Sequence, residues 1–260
     1  MKFIDLDGKK IAYKDTGEGP ALLFGHSYLW DHHMWDAVID KLSTKFRCIA
    51  ADLPAHGASQ VQLDVDLKKL AEHQGSLMRE LGIEKYSVIG LSIGAMWGSY
   101  LVANNSVNID SFIIINSSLL PEPQEKVALY EGMLKAVDNA CMMPAPVLDA
   151  IVPSFFSETV DSEVVHKFRQ SLECLSPDQI PGITACGRAF INRGNILDQI
   201  KTSGARVSVI AGKYDQYRPV HESEQMATEL DCPMHIIETG HISAVEKPNE
   251  LAELIESLLV

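Results

Sequence analysis

The chain reads as an α/β protein, with a mostly parallel central sheet flanked by helices and a mostly helical insertion in its second half. Three observations predict this. Short continuous apolar runs, typical of strands buried on both faces, recur at wide intervals. Amphipathic stretches of helical period lie between them. Between Asn116 and Arg206 the alternation gives way to Pro-punctuated helical sequence. Strand–helix alternation with crossovers of this length implies a parallel sheet covered on both faces.

The first elements are antiparallel. Met1–Asp5 and Lys9–Lys14 are strand-like, and Asp7-Gly8 between them is a hairpin turn. Gly17-Glu18-Gly19-Pro20 breaks the chain before the buried run Ala21–Gly25. Further runs follow at Phe46–Ala50, Tyr86–Gly90, Phe112–Ile115, Val207–Ala211 and His235–Glu238. Leu67, Leu70, Ala71, Leu77, Met78 and Leu81 mark one helix; Leu251, Leu254, Ile255 and Leu258 mark the last. The insertion carries seven prolines from Pro121 to Pro181 and no strong strand run.

With 260 residues, the chain has room for one or two domains of ~150 residues. Its 46% hydrophobic and 22% charged residues exclude disordered, collagen-like and coiled-coil classes. The charge is 22 − 35 = −13, which disfavours nucleic acid and anionic membranes as partners. The first residues lack a signal-peptide apolar core, and no run approaches the ~20 apolar residues of a membrane span. A soluble, cytoplasmic protein is expected. The five cysteines are odd in number, scattered and without a CxxC pair, as in a reducing compartment. His32–His33 lacks a zinc-ligand spacing, so neither metal nor cofactor is expected.

The chemistry concentrates at Gly90-Leu91-Ser92-Ile93-Gly94, a G-x-S-x-G segment between a strand and a helix. A serine nucleophile needs a sharp, strained turn there, with glycines where side chains would clash. The helix N-terminus behind Ser92 carries partial positive charge, and the Ile93 N–H faces an oxyanion formed at Ser92. The competing reading is a Gly-rich strand–helix turn of a doubly wound sheet.

A serine hydroxyl needs a base. His241, in Thr239-Gly240-His241 after the last strand run, is the candidate. Asp215, beyond the preceding strand run, is the candidate for orienting its imidazole. Asp215 also reads as a turn residue or an ion-pair partner of Lys213 or Arg218. Both candidates leave the carboxyl ends of neighbouring strands, where parallel sheets concentrate chemistry. The loop after the first buried run, Gly25-His26-Ser27-Tyr28-Leu29-Trp30, supplies the Tyr28 N–H as the second oxyanion donor, with His26 as a brace. Trp30, Met142 and Phe155 are expected to wall the substrate pocket.

These segments, together with Asp52-Leu53-Pro54-Ala55-His56-Gly57-Ala58-Ser59, occur in the order found in the α/β-hydrolase superfamily, which the chain resembles over nearly its whole length. The resemblance implies a catalytic core at 1–118 and 203–260 and a helical cap at 119–202. It implies a Ser-His-Asp triad of Ser92, His241 and Asp215. Because some members take the acid from an earlier strand, Asn116 and its neighbours are the other place to look. Dehalogenases and epoxide hydrolases of this fold carry Asp at the elbow, so Ser92 implies acyl transfer. Two departures stand out. His26-Ser27 replaces the usual His-Gly, and Leu29 stands where perhydrolase relatives have Pro. The favoured reading is a hydrolase of small-to-medium carboxylic esters. The alternatives are an enol-lactonase or acyl-homoserine lactonase using the same residues, or a ligand-binding protein on a hydrolase scaffold.

Overall fold

The computed structural model describes residues 1–104 and 108–259. Eight strands form one sheet: β1 (Lys2–Leu6), β2 (Lys9–Thr16), β3 (Ala21–Gly25), β4 (Arg47–Ala51), β5 (Tyr86–Leu91), β6 (Ile109–Ile115), β7 (Arg206–Gly212) and β8 (Met234–Ile237). Their order is β1-β2-β4-β3-β5-β6-β7-β8. The β1–β2 and β2–β4 pairs are antiparallel, and all others are parallel. Each apolar run of the sequence is one of these strands, and Asp7-Gly8 turns between the first two with positive φ at both residues.

Side-chain alternation along the strands divides the core in two. Leu23, Val88, Phe112 and Val209 pack on one face, with α2 (Leu67–Glu80) and α3 (Ile93–Asn104). Leu22, Phe24, Ile89, Ile113 and Ile210 pack on the other, with α1 (Asp36–Leu42) and α11 (Pro248–Leu258). The α2 stripe buries Leu70, Ala71, Leu77 and Met78, and the Asp66 side chain caps it by accepting from the Lys69 N–H.

Between β6 and β7 the chain is helical: α4 (Gln124–Ala140), α5 (Ala145–Ile151), α6 (Ser162–Glu173), α7 (Ile180–Ile191) and α8 (Leu197–Lys201). Among these, α8 sits with the sheet, where Leu197 and Ile200 join the core that holds Val209 and Met226. The remaining α-helices are α9 (Val220–Leu230) and the short α10 (Ser243–Glu246), with 3-10 turns at His32–Trp35 and Pro153–Phe155. Among the described residues, no helix is long and apolar enough to cross a membrane.

The sheet order reverses between β3 and β5, where strands 3 and 5 leave side by side in register (Gly25 opposite Gly90). Ligands of open α/β sheets bind outside the carboxyl ends of strands at such a switch point. The approach there is tight. A Cβ on Gly94 would sit 2.1 Å from the Gly25 carbonyl oxygen, and one on Gly25 would sit 2.5 Å from the Trp97 ring. Both obstacles are buried, and one is backbone. We expect Gly94→Ala to cost about 1–3 kcal/mol through overpacking. The melting temperature should fall by at least about 2 °C; an unchanged value in a thermal melt would show that α3 does not press on β3 as described.

Candidate active site

Ser92 sits between β5 and α3 with φ of +57°, a left-handed conformation unusual for a non-glycine residue. Its N–H donates to the Ile115 carbonyl at 3.0 Å, and the Ser117 hydroxyl donates to the Ser92 carbonyl at 2.8 Å. The elbow is thereby pinned to the end of β6 from both sides. Ile93, the first residue of α3, has an N–H without an intrahelical acceptor.

His241 lies in the loop after β8. Its Nδ1 is 2.8 Å from Asp215 Oδ2, and both side chains are almost fully buried. The other Asp215 oxygen accepts from the N–H groups of Tyr217 and Arg218, both at 2.9 Å. The carboxylate is thus held in place before it meets the imidazole. Phe155 meets the His241 ring edge to face and Tyr217 meets it at a tilt, with centroids 5.6 and 5.4 Å away. The His241 N–H donates to the Phe155 carbonyl at 2.9 Å, tying the insertion to this loop. No hydrogen bond joins the Ser92 hydroxyl to His241, but both line one cavity.

Asn116, at the end of β6, is the residue that the sequence undervalues. It has φ of +47°, a conformation that Asn tolerates. Its Nδ2 donates to the His241 carbonyl at 2.8 Å and to Ser243 Oγ at 2.7 Å, while its Oδ1 accepts from the Gly212 N–H at 2.6 Å. It does not touch the imidazole. It ties the ends of β6 and β7 to the histidine loop. The signal in the sequence was its position directly after a buried strand.

Two buried histidines build the loop after β3. His26 Nε2 accepts from the Leu53 N–H at 2.9 Å, so its Nδ1 carries the proton and donates to the Ser27 carbonyl at 2.8 Å. His56 repeats the pattern: Nε2 accepts from the Leu29 N–H at 3.2 Å, and Nδ1 donates to the Pro54 carbonyl at 2.9 Å. Leu29 has φ of +67°. With the Leu29 and Trp30 amides bonded to His56 and Ser27, the Tyr28 N–H is left without a partner among the described residues. The Tyr28 hydroxyl donates to the Ile183 carbonyl at 3.1 Å, anchoring the loop to α7. Asp52 supports the assembly, accepting from the His32 N–H and ring at 2.8 and 2.7 Å and from the Ala58 N–H at 3.0 Å.

The cavity holding Ser92 and His241 is about 90 Å³ and is lined mainly by apolar side chains. Phe155 lines it, as expected. Two expectations are corrected. Met142 is 53% exposed and off the cavity, because α4 ends at Cys141 in a left-handed cap that turns the following residue outward. Trp30 faces a second cavity, where it stacks on Phe168 with centroids 4.4 Å apart and planes 8° apart. The wall is supplied instead by Tyr130, Met133, Leu134 and Val137 of α4, with Met143 just beyond it. The α4 residues stand at i, i+3, i+4 and i+7, a helical stripe visible in the sequence.

Among the described residues, Asp31, His32 and His33 form one group whose potential metal-ligating atoms lie within 4.8 Å of one another. Each has a protein partner: His32 bonds Asp52, His33 bonds Asp36, and Asp31 accepts from the His33 N–H.

The profile of the alpha/beta hydrolase fold matches residues 20–248. The 3-oxoadipate enol-lactonase 1 of Acinetobacter baylyi is 21% identical over 255 residues, covering 97% of this chain and 94% of its own. A thermophilic esterase from Thermogutta terrifontis superposes with a TM-score of 0.91 at 23% identity, covering 100% of this chain and 98% of its own. The enol-lactonase from Burkholderia xenovorans superposes at 0.88 with 19% identity and 99% coverage of both chains.

Burial makes the paired histidines pH-sensitive. Desolvation, with His26 close by, pushes His56 down to about 3, and desolvation lowers His26 against the pull of Asp52. The unfolded chain therefore takes up protons below about pH 6.5 that the folded chain refuses. Each such histidine removes up to about 1.4 kcal/mol of stability per pH unit in that range. His32 works the other way, since Asp52 outweighs its burial and raises it. Burial, with Lys9 close by, also lowers His73, so with three groups against one the urea midpoint should be lower at pH 5 than at pH 7. An equal or higher midpoint at pH 5 would contradict neutral, accepting imidazoles at these positions.

Proposed function

This chain belongs to the alpha/beta hydrolase family, and on that premise we propose that it is a serine hydrolase cleaving small-to-medium carboxylic esters through an acyl-enzyme. The observation that carries the reading is the Asp215–His241 pair at 2.8 Å, opening with the strained Ser92 into one apolar cavity.

In this mechanism, the Ser92 hydroxyl attacks the acyl carbon while His241 Nε2 takes its proton. Asp215 holds the Nδ1–H, fixing the tautomer and stabilising the imidazolium. The carbonyl oxygen becomes an oxyanion between the Tyr28 and Ile93 N–H groups. His241 then returns the proton to the departing alcohol. Water attacks the acyl-enzyme with His241 again as base, and Ser92 is released with the acid. No metal or cofactor takes part. Of the helices at 119–202, α4 to α7 serve as the cap, whose Phe155 meets both the acyl group and His241, while α8 packs with the sheet.

Lactone opening is the second reading, favoured by the enol-lactonase relatives. The chemistry is the same except that the alcohol stays tethered to the acyl group. A perhydrolase-like loop is disfavoured. Proline at 29 is barred by a φ of +67° and would lack the N–H that bonds His56.

An activated phosphonate is expected to label Ser92 stoichiometrically, with no labelling in Ser92→Ala. Equal labelling of folded Ser92→Ala would sink the assignment. A panel of p-nitrophenyl esters beside aliphatic and acyl-homoserine lactones separates the two readings, and turnover of esters alone would remove the lactonase. Asn116→Gly keeps the left-handed backbone and removes every side-chain bond to the histidine loop. We expect kcat to fall about 10–100-fold with KM little changed. A rise in KM at constant kcat would place Asn116 in substrate binding instead.

A further inference from the structure

Two cavities flank the loop after β3, and Leu29 is the residue that lines both. On one side is the apolar cavity of Ser92 and His241. On the other, between the loop and α6, is a cavity of about 560 Å³, against about 90 Å³ for the first. Its walls combine the stacked Trp30–Phe168 pair and Leu172 with the polar Asp31, His33 and Lys167. The backbone between the cavities is held still. Leu29 donates to His56, Trp30 donates to the Ser27 carbonyl at 3.2 Å, and Tyr28 is tied to α7. Leu29 is thus the one residue common to both linings, a partly buried side chain packed against the core on a main chain held by these bonds.

We infer that the second cavity is a further substrate subsite and that the Leu29 side chain is the partition closing it from Ser92. The ligand it fits is the distal part of a longer acyl chain. The chain's apolar stem would lie against Trp30, Phe168 and Leu172, and a polar end would lie among Asp31, His33 and Lys167. With the partition in place, the small cavity selects short acyl groups. This inference rests on Ser92 being the acylated nucleophile.

The test is kcat/KM for p-nitrophenyl esters from acetate to decanoate. The unaltered protein should favour the short esters. Leu29→Gly suits the left-handed backbone and should raise the decanoate-to-acetate ratio about tenfold or more, the scale on which a hydrophobic pocket discriminates. Adding Ser171→Trp, which fills the second cavity from α6, should abolish that rise. Ser171→Trp alone should leave the short-ester rate unchanged. A ratio unmoved by Leu29→Gly, or a rise that survives the filled cavity, overturns the partition. Leu29→Asn also tolerates this backbone and is read in parallel. If both variants stay folded but lose all ester turnover, Leu29 shapes the oxyanion loop and the proposal fails. If the unaltered protein turns over no ester and resists the phosphonate, the serine-hydrolase reading has failed instead.

Discussion

The left-handed backbone at Ser92 is the constraint around which the rest of the molecule is arranged. A non-glycine residue there costs about 1–2 kcal/mol, and it persists because its surroundings leave no alternative. The Ser92 N–H is bonded to β6, its carbonyl accepts from Ser117, and α3 starts one residue later. The sharp turn then drives α3 back across β3, where the Gly25–Gly94 approach leaves no room for a side chain. That contact brings the loop after β3 beside the N-terminus of α3. Among the described residues the Tyr28 N–H has no partner and the Ile93 N–H has no intrahelical acceptor, and Tyr28 lines one cavity with Ser92. Preorganisation of this kind spares the reorganisation that solvent would need to stabilise developing charge.

The second loop achieves its rigidity by an unusual use of histidine. His26 and His56 each accept a main-chain N–H at Nε2 and donate to a main-chain carbonyl from Nδ1. A neutral imidazole matches one donor and one acceptor in this way. A protonated one would set N–H against N–H. Burial keeps both rings neutral, so the same desolvation that depresses their proton affinity preserves the hydrogen-bond pattern. Asp52 plays the complementary part, spending both oxygens on His32 and Ala58. A Cβ at Gly57 would collide with it at 2.1 Å. The segment from Asp52 to Ser59 therefore fixes where the Leu29 amide points, through His56.

Much of this was legible in the sequence, and what was missed was missed for physical reasons. Strands buried on both faces leave continuous apolar runs, the more exposed β1 and β2 were marked by the Asp7-Gly8 turn, and G-x-S-x-G marked the elbow because a strained turn restricts composition. The parallel order put Asp215 and His241 at one edge. Pocket walls are harder, because a side chain's direction depends on where its helix ends. Met142 lies one residue past a left-handed cap and points outward, whereas the stripe from Tyr130 to Val137 lies inside the helix and points inward. Trp30 and Phe155 look alike as aromatic residues near the site, yet Phe155 lines the cavity of Ser92 and Trp30 lines the other one. Asn116 carries no motif, since its function consists of four hydrogen bonds to residues about 100 positions or more away.

The net charge of −13 says little about the field inside the cavity, because the cation on its wall is already matched. Arg218 donates to both oxygens of Glu122 and to Glu222, while Arg193 donates to Glu122 and to the Ser118 carbonyl. Lys126 also donates to Glu222 at 3.1 Å, so three cations meet two carboxylates in this cluster and each cation has a carboxylate partner. Burial alone would raise Glu122, but Arg218 and Arg193 outweigh it and keep the carboxylate ionised. Removing one member of such a cluster strands an uncompensated buried charge, at about 3–5 kcal/mol. Arg218 is therefore available to an anion in the cavity only at the expense of its bonds to Glu122 and Glu222. The positions matter as much as the charges. Glu122 lies where the chain enters the inserted helices, and Arg193 lies where it leaves α7. Arg218 follows Asp215 in the same turn and donates its N–H to that carboxylate. Both stems of the insertion are thus braced against the loop that orients His241, so movement of the inserted helices and placement of the imidazole are mechanically one problem.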